Sequence, residues 1–422
     1  MSGAIANGIS PVDADVELRS MPYPYRAILA ICSDLDGTVD KHGYREIVRF
    51  LNTTETTGMG QGVGLEVGNS IHFRARPQRF TYWSTDDAGR AMIWALIHSG
   101  HIDCLHSFGE RVYARDEVAR ALDELKEHEC HMEVWVDHGG AVTNFGSDIM
   151  EGHGDEVGHP AYHADLTMEY GIKYVCCGRG TSVIGQDVPA SLGGIFQWRH
   201  PIASNRTVLK EAVKQGLARA GQARYAMHGP NETLRPRLLR DNRPVYEFMR
   251  CNPHWGGVGS GAEGRYIHEV LTPAMLDRLV RRGGTCVLYT HLGRVDNPAV
   301  PFHPAAVAAF RQLAQRSQAG EILVTTTRRL LGYLRAVREI AYASRWKGGT
   351  LHIDLQTRTP RNWVGALDAS DLSGLTFYVP DPTATCVTVD GQEVVNLQTN
   401  PLDHLGRPSV SLPWPRLEFP QM

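Results

Sequence analysis

Residues 27–38 read AILAICSDLDGT, and this stretch decides how the rest of the chain is interpreted. The apolar run at 27–32 predicts a buried strand that ends before Gly37. Asp34 and Asp36 stand two positions apart, so both carboxylates point to the same side of that strand. At a strand's carboxyl end, a close carboxylate pair either holds a cation or divides into a base and a ligand. A solvated turn with a helix cap is the structural alternative, because turns also favour Asp and Gly.

The composition is that of an ordinary globular chain of 422 residues, 42% hydrophobic and 21% charged. A formal net charge of −3 gives no indication of a nucleic-acid or membrane-surface partner. We see no apolar run of bilayer-spanning length and no secretory signal at the N-terminus. The eight cysteines have no repeated spacing, which indicates reduced, buried thiols. We therefore expect a cytoplasmic protein with no membrane span.

A repeated unit organises the first 340 residues: a helix, a short apolar strand, and then a polar residue beside a glycine. Helices and parallel strands that alternate in this way predict an α/β fold, with the sheet either open or closed into a barrel. The later strands are predicted at 102–105, 132–136, 173–177, 224–227, 286–290 and 322–325.

The composition changes near Trp346, after which no helical pattern is apparent. Strand-like runs are predicted at 350–356, 375–379, 385–389 and 394–397, and Asp390-Gly391 is a hairpin signal between two of them. We therefore divide the chain into an α/β domain at 1–345 and a small all-β module at 346–422.

Five of the predicted strands end in groups that could bind a metal or move a proton. These groups are Asp34 with Asp36, His106, Asp137 with His138, His228, and His291. Parallel strands bring their carboxyl ends to one face, so residues far apart in sequence can meet there. One Asp and two His form an ordinary ligand set for zinc or a similar divalent ion.

Three motifs resemble those of the polysaccharide deacetylase superfamily: SDLDG at 33–37, GHIDCLHSFGE at 100–110 and LYTHLG at 288–293. The resemblance covers residues 25–340 and implies a distorted (β/α)7-type barrel. It is closest to divergent members found among surface-polysaccharide and lipopolysaccharide O-antigen genes, some of which carry an extra β domain.

The resemblance implies a metal-dependent amidohydrolase that removes an N-acetyl or similar acyl group from a sugar. Asp34 is then the general base, His291 the acid, and Asp36, His106 and His138 the zinc ligands. In the family the two aspartates are adjacent, whereas Leu35 separates them here.

The family's second metal-binding histidine corresponds to Glu110 in this chain. Either Glu110 or His138 therefore completes the metal site. We favour His138, because imidazole suits zinc better than a second carboxylate does.

Further candidates for substrate contact, or for support of the ligands, have weaker signals. Asp137 could orient a neighbouring histidine, as carboxylates near metal sites commonly do. Asn144, Arg265 and the loop residue His163 could contact the substrate or line its pocket, although a plain polar loop accounts for them equally well.

Two rival functions remain open. DLDGT also matches the first motif of haloacid-dehalogenase-like phosphatases, in which Asp34 would be a nucleophile. That family needs a later lysine and an acidic pair that this sequence does not place at a strand end. The other rival is a catalytically inactive carbohydrate-binding barrel, which Leu35 and Glu110 keep open. The sequence does not decide the oligomeric state.

Overall fold

The computed structural model describes residues 16–34, 37–75, 79–110 and 112–422 of a mixed α/β protein. The chain forms two compact units. The larger unit comprises Arg26–Leu331 and Arg416–Met422. The smaller unit combines the described residues up to Tyr25 with Gly332–Pro415.

The strands of the described residues are mostly short. In chain order they are β1 (Glu17–Leu18), β2 (Ala27–Asp34), β3 (Thr56–Thr57), β4 (Gly60–Gln61), β5 (Gly68–Ile71), β6 (Ile102–His106), β7 (Val134–Val136), β8 (Tyr174–Cys176), β9 (Gly180–Thr181), β10 (Leu234–Leu238), β11 (Pro244–Phe248), β12 (Arg250–Cys251), β13 (Thr285–Thr290), β14 (Ile322–Thr325), β15 (Ala341–Lys347), β16 (Thr350–Gln356), β17 (Thr376–Tyr378), β18 (Thr385–Val389), β19 (Gln392–Glu393), β20 (Gln398–Asn400) and β21 (Ser409–Ser411).

The α-helices alternate with the strands of the larger unit. They are α1 (Lys41–Asn52), α2 (Asp87–His98), α3 (Arg115–Glu127), α4 (Ala164–Tyr170), α5 (Pro201–Arg219), α6 (Ile267–Val270), α7 (Pro273–Arg282), α8 (Pro304–Gln318) and α9 (Thr327–Glu339). Within the described ranges, no helix is both long enough and apolar enough to cross a membrane.

A nine-stranded sheet forms the centre of the larger unit, in the order β10-β11-β8-β7-β6-β5-β2-β13, with β14 also paired to β2. All the neighbours in this sheet are parallel except β10 and β11. The predicted parallel sheet is therefore confirmed. Its closure into a (β/α)7-type barrel remains a prediction.

Strand β2 is completely buried because it has neighbours along both edges. One edge pairs with β13 from Ile28 to Ser33. The other edge pairs with β14 at Ala27–Ala30 and with β5 at Cys32–Asp34. The apolar run in the sequence thus becomes the central strand, and its Asp34 end lies between β5 and β13.

Helices α1 and α7 bury apolar faces, and each begins at a side-chain cap. In α1, the Asp40 side chain accepts a hydrogen bond from Gly43 N at 2.8 Å. In α7, Thr272 caps Met275 N, and the helix ends at Gly283 with φ +65°. Leu279 of α7 and Leu29 of β2 belong to the same buried apolar cluster. These contacts pack α7 against the sheet.

An irregularity in β6 sets which side chains share a face with those of β5. Asn69 pairs with Ile102, but Ser70 pairs with Cys104, so Asp103 is an extra residue in β6. An extra residue shifts every later pair by one and exchanges the faces of the strand. His72 consequently lies beside His106, with their ring centres 4.3 Å apart.

The smaller unit contains two four-stranded sheets, β15-β16-β18-β19 and β1-β17-β21-β20. The predicted hairpin at Asp390-Gly391 is confirmed, with β18 and β19 antiparallel and both turn residues at positive φ. The predicted strand at 394–397 is wrong, because the strands there are β19 and β20 on either side of it.

The two compact units differ from the predicted segments 1–345 and 346–422. Glu17 pairs with Tyr378 and Leu18 with Phe377, so residues near the start of the described chain join the smaller unit. The division between the units falls within α9, at Leu331 and Gly332. The domain assignment itself remains a prediction.

One predicted strand of the larger unit is wrong: residues 224–227 belong to a 3-10 helix, Ala223–His228. A central strand would be buried on both faces, whereas Arg224 is exposed and Tyr225 and Ala226 are only half-buried. Ala and Met are also good helix formers, which favours a helical turn after α5.

All eight cysteines are free thiols, and seven of them are buried. This confirms the expected buried, unpaired thiols.

Candidate metal centre

Asp34, His72 and His106 form a buried group in which one ligand atom from each lies within 4.8 Å of the others. Asp34 ends β2 and His106 ends β6, while His72 directly follows β5. Three neighbouring parallel strands therefore deliver the group to one edge of the sheet. This convergence is what the strand-end pattern in the sequence predicts.

Asp34 is 1% exposed and is surrounded by polar groups. Its Oδ1 accepts hydrogen bonds from Ser70 Oγ at 2.7 Å and from Tyr289 Oη, and it lies 3.1 Å from His106 Nδ1. Its Oδ2 lies 3.1 Å from His291 Nε2. Burial raises the pKa of Asp34, but the charges and hydrogen bonds of His106 and His291 more than offset it and hold the pKa well below its usual value.

A third imidazole adjoins the pair His72 and His106. The ring centre of His138 lies 4.9 Å from that of His106 and 5.5 Å from that of His72. With zinc–nitrogen bonds of about 2.0–2.1 Å, the ring centres of tetrahedrally arranged imidazoles lie about 5 Å apart. Within the described residues, His72 and His106 share the group of close ligand atoms with Asp34, and His138 adjoins that group without belonging to it.

Two features show that the residues present fit a cation. Ligand atoms of Asp34, His72 and His106 lie within 4.8 Å of one another at a buried position, and His291 Nε2 lies 3.1 Å from Asp34 Oδ2. Imidazole nitrogens beside a carboxylate oxygen also make a donor set that suits zinc.

The structure brings the two alternatives for the last ligand together, since His138 Nε2 lies 3.9 Å from Glu110 Oε1. Asn144 fixes the backbone of His138 from both sides. Its Oδ1 accepts from His138 N at 2.9 Å, and its Nδ2 donates to His138 O at 2.6 Å. Asn144 therefore positions His138, and its contact with substrate stays a prediction.

Asp137 is buried beneath the loop that carries His138. It accepts hydrogen bonds from Trp135 Nε1 at 2.7 Å and from the backbone N–H groups of Phe145 and Gly146. Burial raises the pKa of Asp137 to about 7, against the lowering effect of these hydrogen bonds. Its described contacts anchor the loop on β7.

His291 follows β13, and its side chain is 26% exposed, so it is the most open of the imidazoles that contact Asp34. The segment that contains Arg265 runs alongside it, and His291 N donates to Ala262 O at 2.9 Å. Arg265 forms ion pairs with Glu263 and Asp296 at 3.0 and 3.2 Å.

Two predicted residues lie in other surroundings. His163 is buried against Trp135 and Phe145, with Nε2 2.8 Å from Thr143 O, and burial lowers its pKa to about 4. His228 ends the 3-10 helix after α5, where burial and then nearby cationic side chains lower its pKa to about 3. Both are packed as neutral imidazoles.

Asp36, predicted as a metal ligand, lies outside the described residues. The residues that the sequence analysis missed are His72, Ser70 and Tyr289. The signal for His72 in the sequence is weak, because only Ile71 and Phe73 beside it are apolar.

A second candidate group, formed by Cys32, Asp103 and Cys104, lies in the same sheet and is entirely buried. Cys32 and Cys104 each precede a member of the first group by two residues on the same strand. Burial raises the pKa of both thiols.

Together, the fold and this edge of the sheet define a mixed α/β protein with a buried, imidazole-rich candidate metal centre at the carboxyl ends of parallel strands. Comparison of the chain with models of protein families and with curated proteins gives no match.

Proposed function

We propose that this protein is a metal-dependent hydrolase that removes an N-acetyl or similar acyl group from a sugar or surface-polysaccharide precursor. The observation that carries the proposal is the buried group of Asp34, His72 and His106, which His138 adjoins beside His106 and His291 adjoins beside Asp34.

His72, His106 and His138 would hold the divalent ion, with zinc the best match to these donors. Asp36 keeps its proposed place as a further ligand. When bound, the ion would polarise the acyl carbonyl and lower the pKa of a water molecule.

The chain's own groups supply the proton transfers. Asp34 is ionised and its Oδ2 faces His291 at the open side of the site, so it would accept the proton of the attacking water. Its other oxygen binds His106 Nδ1, which is how carboxylates commonly orient metal-binding histidines. His291, at the open side of the site, would donate a proton to the leaving nitrogen.

Two hydrogen bonds keep the base in place. Ser70 and Tyr289 both donate to Asp34 Oδ1, which leaves Oδ2 as the oxygen that faces His291. A nucleophilic Asp34, as in a phosphatase, would not need imidazoles on both sides. This arrangement supports hydrolysis of an acyl amide over phosphate transfer.

We also propose that the larger unit is a (β/α)7-type barrel. Strands β10 and β13 stand at the two ends of the strand order, and a hydrogen bond joins them. The hydroxyl groups of Thr233, next to β10, and Thr285 of β13 are 2.7 Å apart. Gln186 and Thr285 also exchange backbone hydrogen bonds of 2.8 and 3.0 Å.

The test is the zinc content of the purified full chain, by elemental analysis, together with acetate release from N-acetylated sugars. We expect about one zinc per chain, and a loss of more than half of it in His72→Ala. His131→Ala, at an exposed histidine, is the matched control and should keep its zinc. Asp34→Asn should also keep most of its zinc but lose at least a hundredfold in acetate release.

Full zinc content in His72→Ala would remove that residue from the site. Release of phosphate from an aryl phosphate, without release of acetate, would favour the phosphatase alternative. Sugar binding by a zinc-free wild-type protein would favour an inactive barrel.

A further inference from the structure

A cavity of about 320 Å³ lies between the loop that follows β2 and the loop that follows β13, the strands whose ends carry Asp34 and His291. Thr38 and Gly293 both line it, and they lie four residues after Asp34 and two residues after His291. Volumes of about 300–1,000 Å³ are typical of small-molecule sites. This cavity therefore has the size for one sugar residue rather than for a length of polysaccharide.

The described lining of the cavity is rich in arginine. Its charged lining residues are Arg79, Arg265, Arg294 and one carboxylate, Asp40. The Asp40 side chain caps α1, where it accepts a hydrogen bond from Gly43 N. Among these described side chains the formal charge is therefore positive, which attracts anions.

The carboxylates that pair with two of these arginines are not among the described lining residues. Glu263 is shared between Arg265 and Arg294, at 3.0 and 3.5 Å, and Asp296 contacts Arg265 from outside the described lining. A guanidinium has five N–H donors, and a planar fork of them matches the oxygens of phosphate or carboxylate. The Arg265 and Arg294 side chains are 34% and 33% exposed, so a bound anion would be partly shielded from water.

Backbone hydrogen bonds hold these two arginines in fixed positions relative to His291. Gly264 N donates to His291 O and Arg265 N donates to Arg294 O, both at 3.2 Å. A Cβ on residue 264 would lie only 2.2 Å from Leu292 O, so the close approach of the two segments requires glycine there. An anion bound by the arginines would therefore lie at a set distance from the proposed acid.

We infer that this cavity is a subsite for an oxyanion carried by the sugar, so that the substrate is an anionic acylamino sugar of monosaccharide size and not a neutral polymer. The inference rests on the proposed function, because that function makes His291 the acid toward which the bound sugar is oriented. Phosphate and carboxylate share the chemistry that the arginines recognise, and the probes below separate the two.

The test measures binding to the zinc-loaded full chain by isothermal titration calorimetry. The probes are N-acetylglucosamine, its 1-phosphate, its 6-phosphate, and N-acetylmuramic acid as the carboxylate. We expect at least one anionic probe to bind ten times more tightly than the neutral sugar. Arg265→Gln and Arg294→Gln should each reduce that preference at least threefold. Arg311→Gln, at an exposed arginine of α8, is the matched control and should leave it unchanged.

Equal affinity for all four probes would overturn the subsite, as would an anion preference that survives both arginine substitutions, since the anion would then bind elsewhere. Zinc content and acetate release from the same samples report on the proposed function separately. Acetate release without an anion preference overturns the subsite alone. Arginine-dependent anion binding without zinc or acetate release supports the subsite and overturns the hydrolase.

Discussion

Two buried carboxylates near the site have opposite electrostatic environments. Asp34 is held ionised because His106 and His291 outweigh the effect of its burial. Asp103 is the extra residue of β6, and among the described residues no cationic side chain lowers its pKa. Burial raises its pKa to about 6, although Arg328 N donates to it at 2.7 Å. Asp34 therefore suits chemistry at neutral pH, whereas an ionised Asp103 destabilises the fold.

We predict that Asp103→Asn removes part of the pH dependence of stability. An unfolded Asp has a pKa of about 3.9, so the native state binds the proton more tightly, and wild-type stability falls as pH rises from about 4 to 6. A shift of about 2 units corresponds to about 3 kcal/mol. Urea unfolding at pH 5 and pH 8 should show a smaller difference in the variant.

Asp123→Asn, at an exposed position of α3, is the matched control for that measurement. It should show the wild-type difference between the two pH values. An Asp103→Asn variant with the full wild-type pH dependence would mean that Asp103 titrates normally in the native state.

At the scale of single residues, the sequence predicted those site residues that directly follow a clear apolar strand. Asp34, His106, His138 and His291 were all expected, and their side chains are brought together. Asn144 was a weaker candidate for substrate contact, and its amide hydrogen-bonds the backbone of His138. Such a role depends on the path of a loop, which residue types do not specify.

At the scale of elements, the loops after β2 and β13 touch through glycines. A Cβ on residue 293 would lie 2.1 Å from Thr38 Oγ1 and 2.8 Å from Thr38 N. A Cβ on residue 37 would lie 2.6 Å from Arg294 Cγ. The glycines of SDLDG and LYTHLG therefore allow the two strand ends, and with them Asp34 and His291, to approach each other.

We predict that Gly293→Ala destabilises the larger unit by about 1–3 kcal/mol, because the new methyl group meets backbone atoms that cannot easily move. The loops should separate, so acetate release should also fall. Thermal unfolding of the purified variants, followed by circular dichroism, measures the first effect.

Gly139→Ala is the matched control, since residue 139 also lies in a loop at the site but a Cβ there would meet no atom within 4 Å. Its stability should stay within about 0.5 kcal/mol of wild type. Equal effects of the two substitutions would show that the contact between residues 38 and 293 does not constrain the loops.

The pairing of β5 with β6 shows why elements are only partly predictable. The sequence predicted a strand at 102–105, but not that Asp103 is an extra residue where β6 pairs with β5. Without that residue, Ser70 would pair with Asp103 and His72 would share a face with Leu105 instead of His106. The register depends on packing against distant strands, which a local pattern does not contain.

At the scale of the whole molecule, the smaller unit is assembled from distant parts of the chain. Arg19 is buried and lies 3.3 Å from Asp403 Oδ2, and its Nε donates to Tyr378 Oη at 3.1 Å. Composition indicated the all-β character of the C-terminal region. It could not indicate that residues 17–18 belong with it, because that pairing joins positions some 360 apart in sequence.

The whole molecule also offers a test of where an ion binds, because a ligand that binds only the native state stabilises it. Free zinc at one hundred times its dissociation constant would add about 2.7 kcal/mol. We predict that zinc raises the unfolding temperature of the chelator-treated wild type by several degrees, and that His106→Ala loses most of this increase. Cys104→Ala, which removes a thiol of the second candidate group, should retain it, since the imidazole group is intact. The reverse result, with the increase lost in Cys104→Ala and kept in His106→Ala, would place the ion in the cysteine group and leave the imidazoles without a metal role.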